Sequence, residues 1–206
     1  MTHPKHASTE HQILDVIRRR WSPRAFDPSR EIPSGDLRSL FEAARWAPSS
    51  FNEQPWRFVV TDVRRTPEAF AGLMQALDTF NQTWARNAPL LVLAAAATHL
   101  KRSGGLNRSA WYDAGQAVAF LTLQATSLGL GIRQMEGFDR DAARRVCNVP
   151  DDYEPVVVMA IGYPGDPDAL AGERERFSER QPRQRQPTET FVFEGVWGAP
   201  LGGVRS

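Results

Sequence analysis

Hydrophobic positions change period several times along the chain, and each change marks an element. Ile13, Leu14 and Ile17 share one helical face and predict a first helix ending near Arg20. Pro23, Pro28 and Pro33 then exclude a long regular element. Leu37, Leu40, Phe41 and Ala44 return to helical spacing, with Ser34 as the expected N-cap and Asp36 in the first turn. This helix stops at Pro48. "WRFVVTD" reads as a strand, and a helix runs from about Pro67 to Asp78. "TFNQTWARNAP" is a polar connection or short helix. "LLVLAAAA" is a continuous apolar run, the pattern of a strand covered on both faces.

A loop, "THLKRSGGLNRS", precedes a long buried helix over residues 109–129. "GIRQMEGF" is a short strand leading to a turn. A surface helix opens at Asp139, and "EPVVVMAIGYP" is an apolar strand. Helices and strands mix without regular alternation, which predicts an α+β fold, a sheet with helices packed around it. One domain spans 1–206, with 1–9 as a flexible tail and 165–206 as a C-terminal arm. The arm is polar and rich in Pro and Arg until "TFVFEGVW" offers one more strand. It has too little apolar content to fold alone, so its Phe191, Val192 and Phe193 are expected to bury against a neighbouring subunit.

Composition narrows the function classes. A net charge of +1 argues against a nucleic-acid or membrane protein driven by bulk charge. Glu173, Glu175 and Glu179 cancel much of the arginine charge in the arm, against a nucleic-acid-binding role. The apolar stretch from Ala114 to Ile132 is interrupted by polar residues and reads as a core helix, not a membrane span. Cys147 is the only cysteine, so the default setting is reduced and cytoplasmic. His3, His6 and His11 read as solvated side chains of the tail, not a metal site. His99 is the only other histidine, which leaves no Ser-His-Asp or Cys-His apparatus. No catalytic side chain is expected: if the protein is an enzyme, a cofactor carries the chemistry.

Four polar clusters remain. Arg20, Ser22 and Arg24 alternate in an extended segment, which sets two guanidinium groups and a hydroxyl on one side, suited to a phosphate. Solvated arginines at a helix end would give the same pattern. "PSSFNEQP" puts small hydrogen-bonding residues, Ser49, Ser50 and Asn52, at a helix-to-strand junction where a flat ligand could approach the backbone. Turn chemistry alone would also explain them. "QMEGF" could present the backbone N–H groups of Glu136 and Gly137. Arg183 and Arg185 alternate in the arm. Gly129 and Gly131 lack the third glycine and the strand-to-helix context of a dinucleotide fingerprint.

Taken in order, these segments resemble the flavin-dependent nitroreductase family over roughly residues 11–195. The Pro-Ser-Ser-x-Asn-x-Gln-Pro-Trp run is the most specific element, and "FNQTWARNAP", "GLGIRQMEGF" and the late Arg-x-Arg piece follow in the family's order. The resemblance implies a mixed sheet flanked by helices, in an intimate homodimer with an exchanged C-terminal arm and an FMN site at the subunit interface. Arg20, Trp21, Ser22 and Arg24 would hold the ribityl phosphate and part of the ring. Pro48, Ser49, Ser50 and Asn52 would come from the other subunit. Asn81 would meet the ring's polar edge, Gln134, Glu136 and Gly137 would lie behind it, and Arg183 and Arg185 would complete the phosphate site. Arg24 and Arg185 are expected to meet at one phosphate. Many relatives carry a lysine where this chain has Trp84.

The implied activity is hydride transfer from NADH or NADPH, through FMN, to a small electron-poor acceptor such as a nitroaromatic, quinone or enone, by a ping-pong route. A non-catalytic flavin-binding protein, and a relative running dehalogenation or flavin fragmentation, are the alternatives.

Overall fold

The computed structural model describes residues 5–202. Among these residues, seven helices surround one four-stranded sheet. The elements are α1 (Asp15–Arg19), α2 (Ser34–Arg45), β1 (Trp56–Asp62), α3 (Pro67–Ala76), α4 (Thr79–Ala85), β2 (Leu90–Ala97), α5 (Ala110–Ser127), β3 (Gly131–Met135), α6 (Arg140–Cys147), β4 (Tyr153–Gly162) and α7 (Glu173–Arg180). The strand order is β1-β2-β4-β3, and every neighbouring pair is antiparallel. The α+β expectation therefore holds, but the mixed sheet is corrected to an antiparallel one. "TFVFEGVW" adds no strand within the subunit. Its segment has a short 3-10 turn at Thr188–Thr190 and a single bridge between Phe193 and Pro200.

All eight residues of β2 are buried, and their alternation divides the core in two. Leu91, Leu93 and Ala95 face one side with Phe70, Leu73, Trp84 and Ala143, from α3, α4 and α6. Leu90, Val92, Ala94 and Ala96 face the other with Leu40 of α2 and Ala114, Ala117 and Leu121 of α5. A two-residue side-chain period on a strand covered by helices on both faces produces this division. Alanines on β2 and α5 let the helix lie close to the sheet. Between β2 and β4 the register shifts at Ala94/Ala95, where Val156 is the extra residue beside Pro155, whose ring nitrogen cannot donate to the ladder.

Three helix expectations change. α2 begins at Ser34 itself, because the Pro33 carbonyl already accepts the Leu37 N–H at 3.0 Å. The Ser34 hydroxyl instead accepts a long bond of 3.4 Å from Arg38. The 109–129 helix is buried on one face only: Trp111, Tyr112 and Phe120 of α5 are exposed, Tyr112 at 74%. The arm contains α7, whose charged sequence lacks an apolar stripe and gave no periodic signal.

The amino-terminal segment is tied down where it is described. The Ala7 N–H donates to Arg18 O at 2.8 Å, and Lys5 Nζ donates to Ser178 O at 2.5 Å. His3, and the arm beyond residue 202, lie outside the described residues. The Trp21–Pro28 segment borders the end of β4: Asp27 N–H donates to Tyr163 O and Gly165 N–H to Ala25 O, both at 2.9 Å. A β-carbon on Gly165 would stand 2.6 Å from the Phe26 backbone, so this close approach requires glycine.

Leu93 is fully buried at the centre of β2. Leu93→Ala should cost about 2–5 kcal/mol through lost contacts and a residual cavity. Urea denaturation at fixed protein concentration measures this as a lower transition midpoint.

Candidate functional site

Arg20, Arg183 and Arg185 line one cavity of ≈ 550 Å³. Each reaches it from a different piece of chain. Arg20 follows α1, and its Nη1 donates to the Ser22 hydroxyl at 3.1 Å. Arg183 is fixed by backbone carbonyls, donating from Nε to Lys5 O at 2.5 Å and from Nη2 to Arg18 O at 2.8 Å. Arg185 is exposed, and among the described residues its guanidinium donates only to its neighbour's carbonyl, Gln184 O, at 2.7 Å. Burial, and then the charge of Arg185, hold the Arg20 guanidinium below its usual range. Burial and the charges of Arg20 and Arg185 do the same to Arg183. Glu10 is the only carboxylate in the lining. Three convergent cations facing one acid make a site suited to a multiply charged anion.

Arg24 stands apart from these three. It lines a separate cavity with Phe80 and Ser178. Its backbone N–H donates to Glu179 Oε1 at 3.1 Å, and its Nη1 lies 3.9 Å from the same oxygen. Arg24 and Arg185, expected at one phosphate, thus belong to different cavities within the subunit. Trp21 lies under Lys5 Nζ, 5.6 Å from the ring centroid, and lines a third cavity beside His6 and Gly131.

Around Arg24 the sequence reading missed two residues. Glu179 is 2% exposed at its side chain and faces Lys5, Arg24 and Arg133. Burial raises its carboxyl against the pull of the Arg24 N–H and the three positive charges. Arg133, on β3, donates to Ser22 O at 2.7 Å and lies 5.4 Å over the Trp84 ring. Burial, with Arg24 beside it, lowers the Arg133 guanidinium to about 10. Arg24 Nε and Glu179 Oε2 are buried without a hydrogen-bond partner among the described residues. Only a basic residue in a short strand, "GIRQM", could have pointed to Arg133. Nothing in the charged run of α7 singles out Glu179.

Asn81 and the loop after β3 are brought together by the fold. The Asp78 N–H donates to Gly137 O at 2.9 Å, and the Asn81 amide bridges Asp78 Oδ2 at 3.1 Å and Gly137 O at 3.4 Å. Asp78 also caps α4 through the Asn81 N–H at 2.6 Å. Neither the Glu136 nor the Gly137 N–H has an acceptor among the described residues. Gln134 and Glu136 are exposed, the latter 3.9 Å from Arg140.

The Pro48–Gln54 segment is strained. Phe51, Asn52 and Gln54 all have positive φ, at 52°, 57° and 48°. For non-glycine residues this costs free energy and persists only when the surroundings enforce it. Two buried acids do so, and both escaped the sequence reading. Asp113 of α5 accepts the Ser50 N–H at 3.1 Å, and Glu53 accepts the Lys101 N–H at 2.9 Å. Ser49 Oγ accepts the Gln54 N–H at 3.0 Å. An acid inside the apolar helix "AWYDAGQAVAFL" was the available signal for Asp113. None of Pro48, Ser49, Ser50 or Asn52 lines the arginine cavity.

Gly137 leaves no room for a side chain, since a β-carbon would stand 1.8 Å from Asp78 Oδ2. Gly137→Ala should displace Asp78, uncap α4 and destabilise the protein by roughly 1–3 kcal/mol. A thermal melt reads this as a lower transition temperature.

The sequence and fold are similar to those of known proteins. A NADH dehydrogenase of Thermus thermophilus is 31% identical over 194 residues, covering 79% of this chain and 86% of that protein. An iodotyrosine deiodinase of Thermotoga neapolitana is 28% identical, covering 75% and 90%. A crystal structure described as an oxidoreductase containing FMN superposes with a TM-score of 0.87 at 31% identity, covering 97% of this chain and all of that one. Residues 17–163 match the model of the nitroreductase family. With that model covering most of its length and the Thermus relative 31% identical across most of both proteins, the chain belongs to the nitroreductase family.

Proposed function

We propose that the protein is a homodimeric FMN-dependent oxidoreductase that passes reducing equivalents from NADH or NADPH to a small electron-poor acceptor. The observation that carries this reading is the convergence of Arg20, Arg183 and Arg185 on one cavity with a single acid in its lining. A terminal phosphate dianion fits that charge. The unpartnered N–H groups of Glu136 and Gly137 and the partly committed amide of Asn81 fit the hydrogen-bonding edge of a flavin ring. FMN, when bound, supplies the acceptance and release of hydride.

The chain's own residues bind and orient. The three arginines would anchor the phosphate. Gly137, pressed against Asp78, would hold its N–H toward the ring, because backbone locked by packing cannot turn away. Asp113 and Glu53 would keep Ser50 and Asn52 in the strained conformation that brings a backbone close to a flat ligand. No residue need act as general acid in this reading: water or the flavin would supply protons.

A second subunit completes the site in this reading. The Pro48–Asn52 segment does not line the arginine cavity of its own subunit. The exposed face of α5, with Trp111, Tyr112 and Phe120, and the arm's Phe191 and Trp197, the latter 91% exposed, offer apolar surface for a partner. Among the described residues no helix is long and apolar enough to cross a membrane, and we place the protein in the cytoplasm. The likeness to a protein named iodotyrosine deiodinase supports reductive dehalogenation as the second reading.

The flavin released on denaturation should chromatograph as FMN, and double-reciprocal plots of NAD(P)H oxidation at several nitroaromatic concentrations should be parallel. Release of FAD, or intersecting lines, would contradict the proposal. Arg20→Ala and Arg185→Ala should each weaken FMN roughly ten- to a hundredfold, as expected for losing a charged hydrogen bond of about 1.5–3 kcal/mol. Riboflavin, which lacks the phosphate, should bind these variants as it binds the parent. Titration of both ligands by flavin fluorescence checks this.

A further inference from the structure

Phe51 combines features that packing does not explain. It is 72% exposed, although it is a large aromatic residue. It also holds a positive φ of 52°. Its ring is covered by the guanidinium of Arg102, 3.6 Å from the centroid. Arg102 belongs to the short loop between β2 and α5, which also carries Lys101 and Arg108. The loop is fixed to the strained segment from below: buried Glu53 accepts the Lys101 N–H at 2.9 Å, and its other oxygen lies 4.0 Å from Arg102 Nε.

The guanidinium therefore has its face on an aromatic ring and its Nε side toward a carboxylate. Its terminal nitrogens make no hydrogen bond among the described residues. An arginine stacked on an aromatic ring is preorganised, so less freedom is lost when its fork meets an anion. The Phe51 ring, beside it, offers apolar contact to a second planar ring. Phe51 lies between Ser50 and Asn52, the residues assigned above to the flavin's face.

We propose that Phe51 and Arg102 form an acceptor-selecting pair that favours planar aromatic acceptors bearing a carboxylate. The acceptor's ring packs against Phe51, and its carboxylate accepts hydrogen bonds from the terminal nitrogens of Arg102. Glu53 is the positioning residue that holds Arg102 over the ring. This assignment rests on the oxidoreductase reading, and it adds a charge preference that the flavin site alone would not impose.

The test compares 4-nitrobenzoate with 4-nitrobenzyl alcohol, which share a nitroaromatic ring and differ in charge. The FMN-loaded full-length protein is assayed as wild type, Arg102→Met, Arg102→Lys and Phe51→Leu. Wild type should show the lower KM for 4-nitrobenzoate. Arg102→Met should raise that KM about tenfold, with kcat and the KM for the alcohol changed less than about twofold. Arg102→Lys should recover part of the loss, because charge remains without the fork. Phe51→Leu should weaken both acceptors together.

Equal effects of Arg102→Met on the two acceptors would overturn the proposal. So would a loss confined to NADPH relative to NADH, which would assign Arg102 to the donor. Should the wild type turn over neither acceptor while retaining flavin, the oxidoreductase reading fails separately. Titrating the two compounds into the oxidised flavoprotein, followed by flavin absorbance, then still decides the charge preference: equal dissociation constants would overturn it.

Discussion

Like charges gathered in a folded protein repel one another unless something offsets them, and most of this molecule's polar architecture follows from two such gatherings. In one, Lys5, Arg24 and Arg133 surround the buried carboxylate of Glu179. A buried acid facing several bases is held mainly because removing it would leave the bases uncompensated. In the other, Arg20, Arg183 and Arg185 face a cavity whose lining holds a single acid. Each cluster sets three bases against one acid, but in the first the acid is buried among them and accepts the Arg24 N–H, whereas the second lines a cavity that the proposed reading gives to an anionic ligand.

The two clusters share a scaffold. Arg183 is held by the carbonyls of Lys5 and Arg18, Lys5 donates to Ser178, and Glu179 accepts the Arg24 N–H. Residues from the amino-terminal segment, the stretch after α1 and the arm are thus joined by hydrogen bonds to backbone, which fix position more firmly than paired surface side chains would. The antiparallel sheet contributes by placing β3 so that Arg133 reaches Ser22. Loss of Glu179 is accordingly expected to loosen both the Arg24 segment and the base of the arm.

Much of the scaffold was legible in the sequence because it depends on local periodicity. The apolar run of β2 and the proline-terminated α2 are examples, and Asp139 does cap α6 through the Ala142 N–H. Reading failed where long-range partners decide. Ser34 did not cap α2, since Pro33 supplied the first carbonyl. α7 carries no apolar stripe, yet it forms and buries Glu179 against Arg24. The arm's "FVF" alternates like a strand, but among the described residues it pairs with neither edge of the sheet and makes only the single Phe193–Pro200 bridge. The segments proposed for the site stood out in the sequence as short motifs. Its supports, Asp113, Glu53, Arg133 and Glu179, were not, because a buried charge is specified by what surrounds it and not by its neighbours in sequence.

The central claim is that one flavin site is built from the arginines of one subunit and the Pro48–Asn52 segment of the other. Mixed dimers test it most directly. One subunit would carry Arg20→Ala with Arg185→Ala, and the other Ser50→Trp, so that neither homodimer retains FMN. Dimers reassembled from both would contain one site with two intact halves. The account predicts that flavin content recovers to about one FMN per mixed dimer, measured by absorbance after separation by differential tags. Mixed dimers as empty as the parent variants would contradict a shared site.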